Sequence, residues 1–238
     1  MSASKPQLDT RERILDAAER LFMQSGYEGT SMRMITGEAG VNLAAVNYHF
    51  GSKEALLREV FRRRLSWLNR ERLIALDALE AAARGEPLKP SAILEAFFGT
   101  LLRMGEDESL GGMTFLRLFG RTLTDPADFI RNFFAGEYAE VIERYKRALF
   151  RALPDVPQEE IIWRLHLMLG SVSYAIAGTD VLQVVTGCEI DLNNDGPDAA
   201  KRLAARVMPF LLGGLRAPLP QFQQFQEQQN QPEPGKAA

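Results

Sequence analysis

The chain has 238 residues, of which 46% are hydrophobic and 25% charged, a composition typical of folded globular proteins and not of disordered chains. The single cysteine, Cys188, excludes an internal disulfide. The longest apolar run without a formal charge, 165–179, is shorter than the ~20 residues needed to cross a bilayer. Because the first ten residues also have no apolar core typical of a secretory signal, the sequence predicts a cytoplasmic protein.

The net charge of −3 argues against a nucleic-acid-binding protein when the chain is taken as a whole, but the charge is unevenly distributed. Residues 1–66 carry 10 Lys and Arg against 8 Asp and Glu, which leaves −5 for the remaining residues. A slightly basic N-terminal part on an acidic remainder is compatible with contacts to DNA phosphates through the N-terminal part.

Helical periodicity begins close to the N-terminus. One apolar stripe at helical spacing predicts a first helix that stops near Gly26, and its members are Ile14, Ala17, Ala18, Leu21 and Phe22. A second helix is expected from about Thr30 to the residue before Gly40. A third is expected from Leu43 to Phe50 with Asn42 as its N-cap, followed by a longer helix capped by Ser52.

The rest of the chain also shows helical patterns and no strand-like alternation. After a linker at 85–90, Ser91 is expected to cap a helix with an apolar stripe from Ile93 to Leu102. The further predicted segments are a loop at 105–112, a short helix at 113–123, a helix from Asp125-Pro126 to Leu153, a long helix from Pro157 to about Thr186, a polar loop at 187–197 and a last helix from Asp198 to Leu212.

These elements predict an all-α protein with two domains and a tail. We assign a three-helix DNA-binding domain to 9–56 and a helical effector-binding and dimerisation domain to 57–216. In 221–231 seven of eleven residues are Gln, so 217–238 is expected to be a disordered tail.

Residues 30–50 have the layout of a helix-turn-helix, with two short amphipathic helices joined at Gly40, where the turn requires a positive φ. If Val41, Val46 and Phe50 face the core, the other side chains of the second helix point outward. Small residues at its start let a helix lie deep in the major groove, and polar residues one turn later reach bases or phosphates. The outward residues expected to contact DNA are Leu43, Ala44, Ala45, Asn47, Tyr48 and His49. Lys53, at the start of the next helix, is expected to hold a phosphate together with Tyr48 and His49.

Residues 10–57 resemble the DNA-binding domain of the TetR family of repressors in ordered pieces that include Thr30-Ser31-Met32-Arg33 and Val46-Asn47-Tyr48-His49-Phe50. The resemblance implies a homodimer that places one recognition helix of each protomer in successive major grooves of a palindromic operator, and it adds Arg33 to the expected DNA contacts. Residues 41–53, 163–170 and 208–210 are similar to the PsrA group of that family, which includes fatty-acid-responsive regulators of lipid metabolism.

Aromatic residues are concentrated in the middle helices, where they form either a filled core or the wall of an elongated apolar pocket. Among them Arg117 and Arg121 either bind the anionic head of an effector or pair with neighbouring acidic residues, and His166 either lies in the core or points into the pocket. The residues assigned to a hydrophobic effector are Phe97, Phe98, Leu101, Phe115, Arg117, Phe119, Arg121, Phe133, Phe134, Tyr138 and His166.

Small residues on the long helix allow close helix approach, and family members build their dimer interface from the last two long helices. The residues assigned to this interface are Ser171, Ala175, Gly178, Leu203, Val207 and Phe210. A core within one protomer is the alternative interpretation.

The basic run Arg58, Arg62, Arg63 and Arg64 is either a phosphate-binding patch or a solvated helix face. His49 and His166 lie too far apart in the sequence for metal-ligand spacing, and motifs of nucleotide-dependent enzymes and hydrolases are absent, so no metal, cofactor or catalytic residue is expected. The sequence therefore predicts a repressor released from its operator by a hydrophobic effector: a long-chain fatty acid, an acyl-CoA or an unrelated compound. A helical lipid carrier is the alternative from another class.

Overall fold

A computed structural model describes residues 9–124, 128–177, 185–187 and 198–220. Every regular element in these ranges is helical, which confirms the all-α fold class. Within them, none of the helices combines the length and apolar composition that a membrane span requires. Three predictions concern residues outside the described ranges: the helix start at 125–127, the polar loop at 188–197 and the Gln-rich stretch.

The first three helices form the predicted helix-turn-helix domain: α1 (Thr10–Gly29), α2 (Met32–Ala39) and α3 (Leu43–Phe50). The Asn42 side chain accepts a hydrogen bond from the Ala45 amide at 2.8 Å, so the predicted N-cap of α3 is confirmed. Gly40 has φ 62° at the α2–α3 turn, as predicted. Gly26, the predicted end of α1, is non-helical with φ 70°, but one further turn follows it before the helix ends.

Helix α4 (Lys53–Ala83) is long enough to belong to both parts of the molecule. Its first turn is capped by Ser52, whose hydroxyl accepts from the Ala55 amide at 3.1 Å. One face of α4 is buried along its length, from Leu56 beside the N-terminal helices to Leu76 in the body. A single rigid element therefore joins the first domain to the second.

A nearly continuous helix follows the linker and contains α5 (Pro90–Leu94), a π-helical turn (Glu95–Gly99) and α6 (Thr100–Met104). The prediction that Ser91 caps this helix is wrong. Pro90 is already inside the first turn and Lys89 is the N-cap residue, because a proline at this position loses no hydrogen bond. The predicted 105–112 loop contains one 3-10 turn at Glu108–Leu110.

The body is completed by α7 (Gly112–Thr124), α8 (Asp128–Ala152), α9 (Gln158–Ala177) and α10 (Ala199–Leu215). Helix α10 extends three residues beyond the predicted end at Leu212. Helices α7 and α9 cross at Gly120, where an added Cβ would lie 2.6 Å from Ile176 Cγ1 and 2.7 Å from the Ser173 carbonyl oxygen. Only glycine allows this close approach, which holds α9 against the core.

Candidate DNA interface and ligand cavity

Four side chains of α3 form one exposed surface, which we call the α3 outer face: Leu43, Ala44, Asn47 and Tyr48. Tyr48 is 86% exposed, whereas Val46 on the opposite side is fully buried. The predicted inward position of Val46 is therefore confirmed, and four of the six residues predicted to point outward are exposed. Two apolar or small groups precede an amide and a phenol, which is a set suited to base edges and phosphates in a major groove.

Contacts from α1 hold the α3 outer face in place. Arg13 on α1 donates from Nη2 to the carbonyl oxygens of Ala39 at 2.5 Å and Gly40 at 3.1 Å, directly at the turn between α2 and α3. The Asn42 cap stabilises the turn where α3 begins, and Arg13 stabilises it where α2 ends. Together they hold α3 in one orientation.

Ala45 and His49 lie at the side of α3 and are only partly exposed. The His49 ring contacts Tyr48 edge-on with ring centroids 5.2 Å apart, and it lines an open groove with Arg11, Arg58 and Phe133 between the two domains. A phosphate contact by His49 therefore has to be made at the edge of the α3 outer face. Arg33 on α2 is exposed and is available for such a contact.

Lys53 is less available for DNA than the sequence predicts. Its ammonium group donates to the carbonyl oxygens of Tyr27 at 2.9 Å and Thr30 at 3.1 Å and lies 4.0 Å from the centre of the Tyr27 ring. These contacts tie the start of α4 to the α1–α2 junction. Two of its three donors are used internally, which leaves one for a phosphate.

The basic run on α4 corresponds to neither of the two predicted alternatives, since most of it is paired with acidic side chains. Arg63 and Arg64 both contact Glu19 of α1, which is only 3% exposed, and Arg62 contacts Glu59 and Glu137. These arginines are a structural connection between α1, α4 and α8. The sequence signal for this connection was the set of acidic side chains spaced along α1.

Two apolar cavities lie side by side in the body. The Arg72 cavity, of about 240 Å³, is named after the one basic side chain among the described residues of its wall, and the His166 cavity, of about 230 Å³, is named after its histidine. Phe97, Phe98, Ile142 and Leu169 belong to both walls. Together the two cavities reach the size range of small-molecule sites, about 300–1,000 Å³.

The structure sorts the residues predicted for the effector into two groups. Those in the wall of the Arg72 cavity are Phe97, Phe98, Leu101, Phe119, Phe134 and Tyr138, and His166 is in the wall of its own cavity. The other four are placed elsewhere: Phe115 is fully buried against Phe61, Phe133 faces the groove between the domains, and Arg117 and Arg121 line neither cavity. Arg121 is exposed and its Nε lies 3.4 Å from the Ala177 carbonyl oxygen. Since none of the four lines either cavity, the cavity walls do not support their predicted role in effector binding.

Arg72 of α4 is the charged residue that sequence reasoning missed. It is 2% exposed, its Nε donates to the Phe97 carbonyl oxygen at 2.9 Å, and its guanidinium carbon lies 3.9 Å from the centre of the Phe97 ring. Burial lowers the pKa of the Arg72 guanidinium, and burial raises the pKa of the nearby Tyr138 hydroxyl to about 12. The available signal was the position of Arg72 on the apolar side of α4, four residues before Leu76.

The predicted dimer residues divide in the same way. Leu203 and Val207 are buried in the core of their own protomer, so assigning them to a partner contact is wrong. Phe210 is 67% exposed, Ser171 and Ala175 are partly exposed, and Gly178 lies outside the described residues. Large exposed side chains on α9 and α10, which pack side by side, form what we call the α9/α10 apolar face: Trp163, Leu167, Tyr174 and Phe210.

In the part of the chain that the structure describes, no group of His, Cys, Asp and Glu side chains is arranged to hold a metal ion.

Comparison with known families assigns both parts of the chain. Residues 14–60 match the bacterial regulatory proteins of the tetR family, and residues 95–214, half of the chain, match the tetracyclin repressor-like C-terminal domain. The chain belongs to the TetR family. This family consists of transcriptional regulators with a helix-turn-helix, which agrees with the geometry of α2 and α3.

Individual relatives in the TetR family are distant. The HTH-type transcriptional regulator LmrA of Bacillus subtilis is 36% identical over 78 residues, 32% of this chain and 42% of LmrA. The repressor AcnR of Corynebacterium efficiens is 29% identical over 100 residues, 42% of this chain and 44% of AcnR. The chain thus spans less than half of the length of these curated relatives.

Solved structures extend the likeness in fold over most of the chain. The fatty acid degradation regulator FadR from Bacillus halodurans superimposes with a TM-score of 0.55 and 17% identity, covering 90% of this chain and 100% of FadR. The ketosteroid regulator KstR2 of Mycobacterium tuberculosis gives 0.53 and 18%, covering 87% of this chain and 95% of KstR2. At this identity the likeness concerns the fold alone.

Proposed function

We propose that this TetR-family protein is a cytoplasmic, homodimeric repressor that binds a palindromic operator and is released by a hydrophobic effector. It acts as a regulator without cofactor or catalytic residues, and genes of lipid or fatty-acid metabolism are its expected targets. The observation that carries the proposal is the combination of the α3 outer face with an apolar cavity whose wall includes the helix that supports α3.

Operator recognition is supported by the exposure of Asn47 and Tyr48 on a capped helix. An Asn side chain can pair with both the donor and the acceptor of an adenine edge, and Leu43 can contact a thymine methyl group. Further contacts to the DNA backbone and groove are expected around Asn47, from Arg33, Ala44, Ala45, Tyr48, His49 and the free donor of Lys53. The protein places two copies of α3 about 34 Å apart when it dimerises on B-form DNA.

A hydrophobic effector is supported by the almost entirely apolar walls of the Arg72 and His166 cavities. Each methylene group moved from water into such a cavity contributes about 0.8 kcal/mol, so a long acyl chain binds well without many polar contacts. A long-chain fatty acid is our first candidate, in keeping with the similarity to the PsrA group, and acyl-CoA is the alternative. The names of the superimposed FadR and KstR2 point to fatty acid degradation and ketosteroids in those proteins.

Dimerisation is assigned to the α9/α10 apolar face. Gly170 lies on the same side of α9, and an added Cβ there would meet no atom of the protomer within 4 Å, so a second backbone can approach closely. Exposed Trp163 and Phe210 supply the large apolar groups that protein interfaces are enriched in.

Effector binding and operator binding are coupled if the effector favours a dimer with a different spacing of α3. A hundredfold loss of operator affinity requires about 2.7 kcal/mol of coupling, and operator must weaken effector binding by the same factor. Helix α4 is the element through which we expect this coupling to act.

The test starts with selection of a duplex from a random library by the purified full-length chain. Asn47→Ala and Tyr48→Ala should each weaken binding to the selected duplex by about 5- to 150-fold, since a good base or groove contact contributes about 1–3 kcal/mol. Ile74→Ala, an exposed apolar residue on α4 away from α3, is the control and should bind normally. Failure to enrich any duplex at low salt would remove the proposal.

A further inference from the structure

Among the described residues no acidic side chain pairs with the buried Arg72, and this points to the chemistry of the effector. We propose that Arg72 and Tyr138 bind the carboxylate of a free fatty acid that enters head first, with its chain in the adjoining apolar space. This inference rests on the proposed function, because it names the ligand class of the proposed effector cavity.

The polar atoms of the anchor belong to two side chains of the cavity wall. Both residues line the Arg72 cavity, and Arg72 Nη1 and the Tyr138 hydroxyl oxygen are buried with no hydrogen-bond partner of normal geometry among the described residues. The two side chains lie close enough that each affects the pKa of the other. A guanidinium N–H and a phenol O–H on one wall match the two oxygens of a carboxylate. Ser173 in the same wall is already engaged, since its hydroxyl donates to the Leu169 carbonyl oxygen.

Existing contacts hold Arg72 in position but do not neutralise its charge. Its Nε is bonded to the Phe97 carbonyl oxygen, and the Tyr145 hydroxyl donates to the Arg72 carbonyl oxygen at 2.7 Å. Among the described residues, no acidic side chain contributes to the pKa of Arg72, which burial lowers. A buried charge without a counter-ion is costly, and stacking on Phe97 offsets only part of that cost. A bound carboxylate would supply the missing charge.

The position of the anchor selects between the two lipid forms of the effector. The exposed residues of the Arg72 cavity are Ala135, Ile142 and Leu169, so the cavity opens between α8 and α9, whereas Arg72 is buried behind them. A head group bound to Arg72 must therefore be small. A free carboxylate meets this requirement, but an acyl-CoA would have to bury its charged nucleotide or leave Arg72 unpaired.

The test measures the affinity of decanoate, methyl decanoate, 1-decanol and decanoyl-CoA for the full-length protein by calorimetry. We expect decanoate to bind at least about tenfold more tightly than the other three, a difference of about 1.4 kcal/mol. In Arg72→Met this preference should disappear, with decanoate weakened about tenfold or more and 1-decanol changed by less than about threefold. Arg121→Met, an exposed arginine outside both cavities, should behave as wild type.

Two measurements test the anchor even if Arg72→Met fails to fold. One compares the affinities of the four probes for wild type, and the other uses Tyr138→Phe, which removes only one hydroxyl. Equal affinity of wild type for decanoate and 1-decanol would overturn the anchor while leaving a hydrophobic effector in place. Tighter binding of decanoyl-CoA than of decanoate would overturn it in favour of the thioester. If none of the four probes binds although the protein binds its selected duplex, both the anchor and the lipid effector are wrong.

Discussion

Asn42 and Asn47 show how the same side chain serves two purposes within one short helix. Asn42 turns back to cap the Ala45 amide, while Asn47 points to solvent on the α3 outer face. Asn42 therefore contributes to stability, whereas Asn47 is available for recognition.

Asn42→Ala should lower the free energy of unfolding by about 1 kcal/mol, because the amide at the start of α3 loses its partner. Asn47→Ala should leave the free energy of unfolding within about 0.5 kcal/mol of wild type, since an exposed group is removed. Urea unfolding followed by circular dichroism measures both. Equal stability of the two variants would contradict the capping role of Asn42.

Tyr138 makes stability depend on pH in the alkaline range. Its pKa is about 12 in the folded protein because the hydroxyl is buried, against 10.0 ordinarily, so the unfolded chain loses this proton first. The stabilisation is complete below pH 10 and decreases as the pH rises toward 12. Between about pH 9 and about pH 11 wild type should lose more free energy of unfolding than Tyr138→Phe. Tyr48→Phe, at an exposed position, serves as the control and should follow wild type.

At the scale of elements, buried Glu19 joins α1 to α4. Its oxygens lie 3.0 Å from Arg63 Nη1 and 2.7 Å from Arg64 Nε, and Arg64 Nη1 continues to the Ser109 carbonyl oxygen at 2.7 Å in the loop before α7. This chain of contacts links the DNA-binding domain, the long helix and the body.

Glu19→Gln should lower the free energy of unfolding by about 2 kcal/mol, less than for a fully buried pair because Arg63 keeps Asp16 and Glu12 as partners. Glu38→Gln breaks the Arg20–Glu38 pair, whose side chains are 50% and 47% exposed, and should cost less than about 1 kcal/mol. Thermal and urea unfolding compare them, and equal losses would show that Glu19 is not a central connection.

At the scale of the whole molecule, the α9/α10 apolar face should bring two protomers together. Leu167→Glu places a charge where Leu167 is 63% exposed, so the protomer should fold normally while the dimer dissociates at concentrations at least about tenfold higher than for wild type. Ile74→Glu changes an equally apolar but separate residue, 53% exposed, and should remain dimeric. Sedimentation equilibrium distinguishes them. A dimer in both variants would place the interface elsewhere.

Much of the molecule followed from local sequence signals. Asn42, Ser52 and Gly40 predict helix starts and a turn because caps and positive φ depend on neighbouring residues only. The helical spacing of Val46 and Phe50 was enough to orient α3. Ser91 was misjudged because proline at the preceding position is an equally good start.

The sequence by itself determined the presence of most helices, the caps of α3 and α4 and the exposed side of α3, since these depend on contacts within a few residues. Only the tertiary structure decided that Arg72 and not Arg117 or Arg121 lines the cavity, that Lys53 and Arg63 are used internally, and that Leu203 faces its own core. Those outcomes depend on how helices distant in sequence rotate against one another, and apolar periodicity identifies a buried stripe without identifying what it is buried against.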